Sequence, residues 1–173
     1  MTISEEEIER YRLLGSLLEF TRIFYKLRTG RQFALSAPIG RESHHLTICR
    51  ALVKVFNGET TKLIINVPPR YGKSEILIHF VAWALANYPD SNFIYTSYSH
   101  SLASKQTQTI REIAQMSHYI KLLKVNLKDD TKAKDNFETT AGGSVYAVGA
   151  GGTITGRGAG VQGVNRFSGA FLL

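Results

Sequence analysis

Apolar residues near the start of the chain recur at helical spacing: Ile8, Tyr11, Leu14, Leu17 and Leu18, then less regularly Ile23, Phe24 and Leu27. The pattern predicts one long or kinked helix over residues 5–28 with a single apolar face. Ser4-Glu5-Glu6-Glu7 suits a capping box, in which the Ser4 hydroxyl and the Glu7 carboxylate satisfy each other's backbone N–H groups. Thr29-Gly30 is a helix exit. Residues 31–42, with Pro38 and Gly40, read as a loop. Ser43 is then the expected cap of a second helix carrying Leu46, Ile48, Cys49, Leu52, Val53 and Phe56, closed by Asn57-Gly58.

From residue 63 the rhythm becomes strand, helix, strand, helix. Leu63-Ile64-Ile65-Asn66-Val67 is a short apolar run suited to a strand buried on both faces. Residues 73–87 follow as a helix that is apolar almost all round, stopped by Tyr88-Pro89-Asp90. Phe93–Ser97 reads as the next strand and residues 101–116 as a more polar helix. Such alternation predicts an α/β fold with a parallel sheet and right-handed crossovers. Ten of the 15 glycines fall between Gly142 and Gly169. Strands at 136–140 and 144–148 can be drawn as a hairpin turning at Ala141-Gly142-Gly143. The interleaved Val145, Tyr146, Val148, Ile154 and Val161 argue against a merely flexible linker.

With 173 residues, 43% of them apolar, the chain is large enough to bury a core, which disfavours disorder. Its one cysteine, Cys49, excludes an internal disulfide framework and suits a reducing compartment. No apolar run is long enough to cross a bilayer, and the acidic opening is unlike a signal peptide, so a soluble, intracellular protein is expected. The net charge of +7 is unevenly placed. Arg22, Lys26, Arg28, Arg31, Arg41, Arg50 and Lys54 face one acid, Glu42, between Phe20 and Lys54. Lys121, Lys124, Lys128, Lys132 and Lys134 form a second group, opposed by Asp129 and Asp130. This excess favours a polyanionic partner. His44-His45 has no Cys or His partner at ligand spacing, and adjacent side chains point in different directions on a helix, so no metal site is expected there.

The segment that carries chemistry is Leu63-Ile-Ile-Asn-Val-Pro-Pro-Arg-Tyr-Gly-Lys-Ser-Glu75. Binding a nucleoside triphosphate takes a concave array of backbone N–H donors, a cation for the β- and γ-phosphates, and a hydroxyl for Mg²⁺. Gly72 permits close approach, Lys73 supplies the cation and Ser74 the hydroxyl, while the amides of Tyr71 through Ser74 open a helix. The match to G-x-x-x-x-G-K-[ST] is incomplete: Val67 stands at the first glycine position, and Pro68 and Pro69 bring no N–H. Arg70 offers a second cation for a γ-phosphate.

Pro68-Pro69-Arg70-Tyr71-Gly72-Lys73-Ser74-Glu75 resembles the deviant Walker A loop of the large subunits of tailed-phage terminases, the motors that package DNA. His44-His45-Leu46 resembles the segment before that loop in one branch of the family. Tyr95–Ala103 resembles its second strand and following turn, and Gly142–Gly158 the glycine-rich stretch before Walker B. The resemblance implies a P-loop NTPase-like parallel sheet with flanking helices, incomplete and preceded by an N-terminal helical segment. It divides the chain into a helical segment at residues 1–36 and a partial ATPase domain at 37–173. It assigns ATP to Tyr71, Gly72, Lys73 and Ser74, Mg²⁺ to the Ser74 hydroxyl, and a candidate arginine finger to Arg70. Arg157 gains no firm role from it. Implied partners are double-stranded DNA and, in a complete motor, the terminase small subunit and portal protein, in the cytoplasm of a bacterial host. In the family, an apolar strand ending in acids supplies the Walker B carboxylates. Ala170-Phe-Leu-Leu173 reads as the start of that strand, and no acid follows it. The expectation is therefore a truncated, prophage-derived portion that binds ATP without full activity and lacks the family's nuclease domain. Val125–Asp130 is a poor substitute, because Asn126 and Lys128 interrupt its apolar run.

Overall fold

Ser4 caps the first helix as its sequence predicts: its side chain accepts from Glu7 N–H while the Glu7 carboxylate accepts from Ser4 N–H at 3.0 Å. Helical structure covers the expected span and is kinked rather than straight. It breaks at Ser16, giving α1 (Glu5–Gly15) and α2 (Leu17–Thr29), and the Ser16 hydroxyl caps α2 through Glu19 N–H. The break leaves carbonyls at the end of α1 without helical partners. The Trp83 indole donates to two of them, Leu13 O at 3.1 Å and Leu14 O at 3.0 Å. Apolar periodicity continues through a cap of this kind, which is why a single helix is read from the pattern.

The computed structural model describes residues 3–37, 39–129, 135–152 and 156–173, so Pro38, Asp130, Lys132, Lys134 and Ile154 lie outside the described residues. The chain divides into two compact units, residues 1–83 and 84–173. In the first unit, α2 packs against α1 and against α3 (His44–Phe56). Its core holds Leu13, Leu17, Phe20, Phe24, Ile48, Leu52, Ile76 and Phe80, all buried. Helix α4 runs Lys73–Asn87 and is buried nearly all round from Ile76 onward, in keeping with its continuous apolar sequence.

The expected buried strand at Leu63–Val67 is not formed. The segment is irregular, pairs with no strand of the described residues, and leaves Ile64 86% exposed. A strand is buried only when neighbours accept both rows of its backbone groups. Apolar content alone reads as burial; ladder partners decide it.

The second unit holds the sheet. Strands β1 (Asn92–Ser97), β2 (Asn136–Glu138), β3 (Ser144–Gly149) and β4 (Phe171–Leu172) lie in the order β2-β3-β1-β4. β1 pairs parallel with both β3 and β4, with Ile94 opposite Tyr146 on one side and Phe171 on the other. β2 and β3 form an antiparallel hairpin in which Phe137 faces Val145. The α/β class holds, while the sheet is mixed rather than parallel, because the glycine turn at 141–143 returns the chain directly beside itself. Helix α5 (His100–Ala114) packs on β1 and β3 through Ala103, Thr107, Ile110 and Ile113. A short α6 (Ser117–Leu123), ended by a left-handed Lys124, has no counterpart among the predicted elements. Among the described residues no helix is long and apolar enough to cross a membrane.

Candidate functional site

The chain turns at Pro69-Arg70 and enters α4 at Lys73. Within this turn Arg70 (φ 68°) and Gly72 (φ 76°) are left-handed, and Tyr71 between them is not. Two positive-φ residues in three bend the chain sharply just before α4. Ile76 N–H closes the first turn of α4 on Gly72 O at 3.0 Å, so the amides of Gly72 through Glu75 precede the first intrahelical bond. Their partial positive charge, the helix dipole and the half-buried Lys73 all favour an anion here. Ser74 is exposed, as are Arg70 and Tyr71. The loop borders a cleft of about 930 Å³ whose other lining includes Tyr25, Phe33 and His45.

A side chain at Gly72 would be both crowded and strained. A Cβ there would sit 2.9 Å from His45 Nε2, in a backbone conformation that other residues enter at a cost of about 1–2 kcal/mol. Arg70, left-handed without being glycine, carries that cost in the native loop.

Two features of α3 depart from expectation. Ser43 makes no side-chain cap; its hydroxyl lies 3.1 Å from His45 Nδ1 instead. The adjacent rings of His44 and His45 do not diverge but stack, with centroids 3.8 Å apart. Side chains lean toward the N-terminus of their helix, and at the first turn no preceding turn occupies that space. His44 Nε2 lies 3.1 Å from Tyr71 O. His45 is buried against the Phe33 ring, and its pKa is lowered, chiefly by burial and then by His44, with a hydrogen bond to the Tyr71 backbone opposing.

Glu75, directly after Ser74, is held by Arg28 of α2 at 2.6 Å. No local pattern links these residues, which are 47 apart in sequence, and neither Tyr25 nor Phe33 carried any signal of lining a cleft. Of the other basic residues in this unit, Arg50 pairs with Glu42, while Arg22, Lys26, Arg31, Arg41 and Lys54 are exposed. In the second unit Arg157 lies over the Tyr146 ring at 4.1 Å, a cation–π contact. Among the described residues no group of three or more His, Cys, Asp or Glu is placed to hold a metal ion. No protein-family model matches this chain, and no curated protein matches it.

Proposed function

We propose that residues 70–74 bind the phosphates of ATP, and that the chain is the ATP-binding N-terminal portion of a terminase large subunit with a P-loop NTPase-like fold. The observation that carries the phosphate reading is the positive-φ turn at Arg70 and Gly72, which brings Lys73 and the amides of Gly72 through Glu75 together at the opening of α4. The terminase reading rests on the sequence resemblance alone. The donor set suits a polyphosphate: amides from Tyr71 onward surround it, Lys73 neutralises it, and exposed Arg70 supplies a further guanidinium where γ-phosphate charge would develop. Ser74 offers one hydroxyl to Mg²⁺, an ion that would neutralise phosphate charge when bound. The adjacent Glu75 is committed to Arg28. Double-stranded DNA is the proposed polyanion for the exposed basic residues of α2 and α3, and the small subunit and portal protein are the partners in a complete motor.

Titration of the chain with ATP·Mg²⁺ tests this. Lys73→Ala should weaken binding roughly 10- to 100-fold, the worth of a charge-assisted hydrogen bond of about 1.5–3 kcal/mol. Equal affinity in the variant would remove Lys73, and the phosphate cup with it, from the binding site. Salt-dependent DNA binding untouched by Lys73→Ala would instead favour a nucleic-acid-binding module, a reading supported by the exposed Arg22, Lys26, Arg31, Arg41 and Lys54.

A further inference from the structure

The α3 histidines meet the loop at Tyr71 and Gly72. His44 Nε2 is 3.1 Å from Tyr71 O, and since a carbonyl only accepts, that nitrogen carries the proton. Ser43 Oγ is 3.1 Å from His45 Nδ1, so a hydroxyl donating there leaves Nε2 as the N–H of His45. That Nε2 lies against the back of Gly72, where a Cβ would come within 2.9 Å of it. The peptide joining Tyr71 to Gly72 is planar and trans, so its C=O and N–H point in opposite directions. Whatever holds the Tyr71 carbonyl toward α3 therefore aims the Gly72 amide away from α3.

We propose that His44 and His45 are positioning residues of the anion cup: by anchoring the Tyr71 carbonyl they turn the Gly72 N–H toward the bound phosphate. This rests on the reading of residues 70–74 as a phosphate site. The loop needs such an anchor because Arg70 is held left-handed without being glycine, and relaxation of Arg70 would rotate the following peptides out of alignment. The tilted contacts of the His44 ring with His45 (centroids 3.8 Å apart) and with the Tyr71 ring (5.4 Å) fix the donor's direction. His45 is buried beside Phe33 and backs Gly72, while His44, half-buried, makes the contact that can be removed without disturbing a core.

The test uses the full chain and inorganic tripolyphosphate, followed by calorimetry and by the Gly72 amide resonance. His44→Phe keeps a ring to stack but has no donor. His44→Gln places an amide N–H where Nε2 was. We expect His44→Phe to bind about tenfold more weakly, with the Gly72 amide no longer shifting on titration, and to melt close to the unsubstituted chain. His44→Gln should bind within about threefold of the unsubstituted chain. Wild-type affinity in His44→Phe, or equal weakness in the Phe and Gln variants, overturns the positioning role of His44 and leaves at most the His45 bond to the Tyr71 backbone as the anchor. In either case sensitivity to Lys73→Ala leaves the phosphate site standing. Failure of the unsubstituted chain to bind tripolyphosphate overturns both.

Discussion

Gly169→Ala is expected to cost about 4 kcal/mol of stability, enough to consume much of the 5–15 kcal/mol typical of a native protein. Gly169 has φ 143°, and a Cβ there would fall 1.8 Å from Asn92 O, a backbone atom that cannot swing aside. The segment carrying it is stitched to the central strand: Asn92 N–H donates to Ser168 O at 2.8 Å and Ile94 N–H to Ala170 O at 3.1 Å. Gly160 N–H in turn donates to Asn92 O at 3.0 Å. Displacing the segment forfeits these bonds at about 1 kcal/mol each, and forcing alanine into the glycine conformation adds about 1–3 kcal/mol. Urea denaturation gives the loss, and amide exchange at Asn92 and Ile94 should accelerate selectively. A loss below about 1 kcal/mol would mean that β4 and the turn before it reseat around the methyl group.

Acid should destabilise the protein through His79. This ring is fully buried, its Nδ1 donates to Glu75 O at 2.7 Å, and its Nε2 has no hydrogen-bond partner among the described residues. Burial lowers its pKa to about 4; the bond to the Glu75 backbone opposes the shift, and the Arg28 charge adds to it. The ring is thus neutral near pH 7, and the 3.8 Å approach of the Glu75 carboxylate is not then an ion pair. In the unfolded chain a histidine titrates near its ordinary pKa of about 6.5. Between these values the unfolded state binds more protons than the folded one, so stability is full above about pH 6.5 and falls as pH drops toward 4. The loss from this one group is about 3 kcal/mol. His79→Leu, which fills an apolar site beside Phe20 and Tyr25, should stay within about 1 kcal/mol of the unsubstituted chain at pH 7 and show a flatter decline. Parallel stability profiles for the two proteins between pH 7 and 4.5 would show that the buried imidazole does not drive acid unfolding.

Structure is legible in the sequence where local forces decide it. The capping box at Ser4, helix α4 and the hairpin around Gly142-Gly143 each depend on neighbours a few residues away, and each is legible in the chain. Leu63–Val67 misleads because pairing is not a property of the segment itself: the same apolar run serves a central strand or an exposed connector according to what lies alongside. The Gly-Lys-Ser signature located the loop, but not what surrounds it. Arg28 reaching Glu75 and the histidines converging on Tyr71 are tertiary events between elements of unrelated sequence. Ser43 shows the same limit at short range, since its hydroxyl had two feasible partners and the ring of His45 prevailed over the backbone.

Cys49, the only cysteine in the chain, lies on α3 a little over one turn beyond the histidine pair. It is 3% exposed, and burial pushes its thiol up to about 12, so almost no thiolate forms while the helix is seated. A maleimide or disulfide reagent can therefore label it only during excursions that lift α3 from its neighbours. The labelling rate becomes a clock for those openings, and slowing of that clock by a phosphate ligand would report, from one turn along the helix, how firmly the loop grips its anchor.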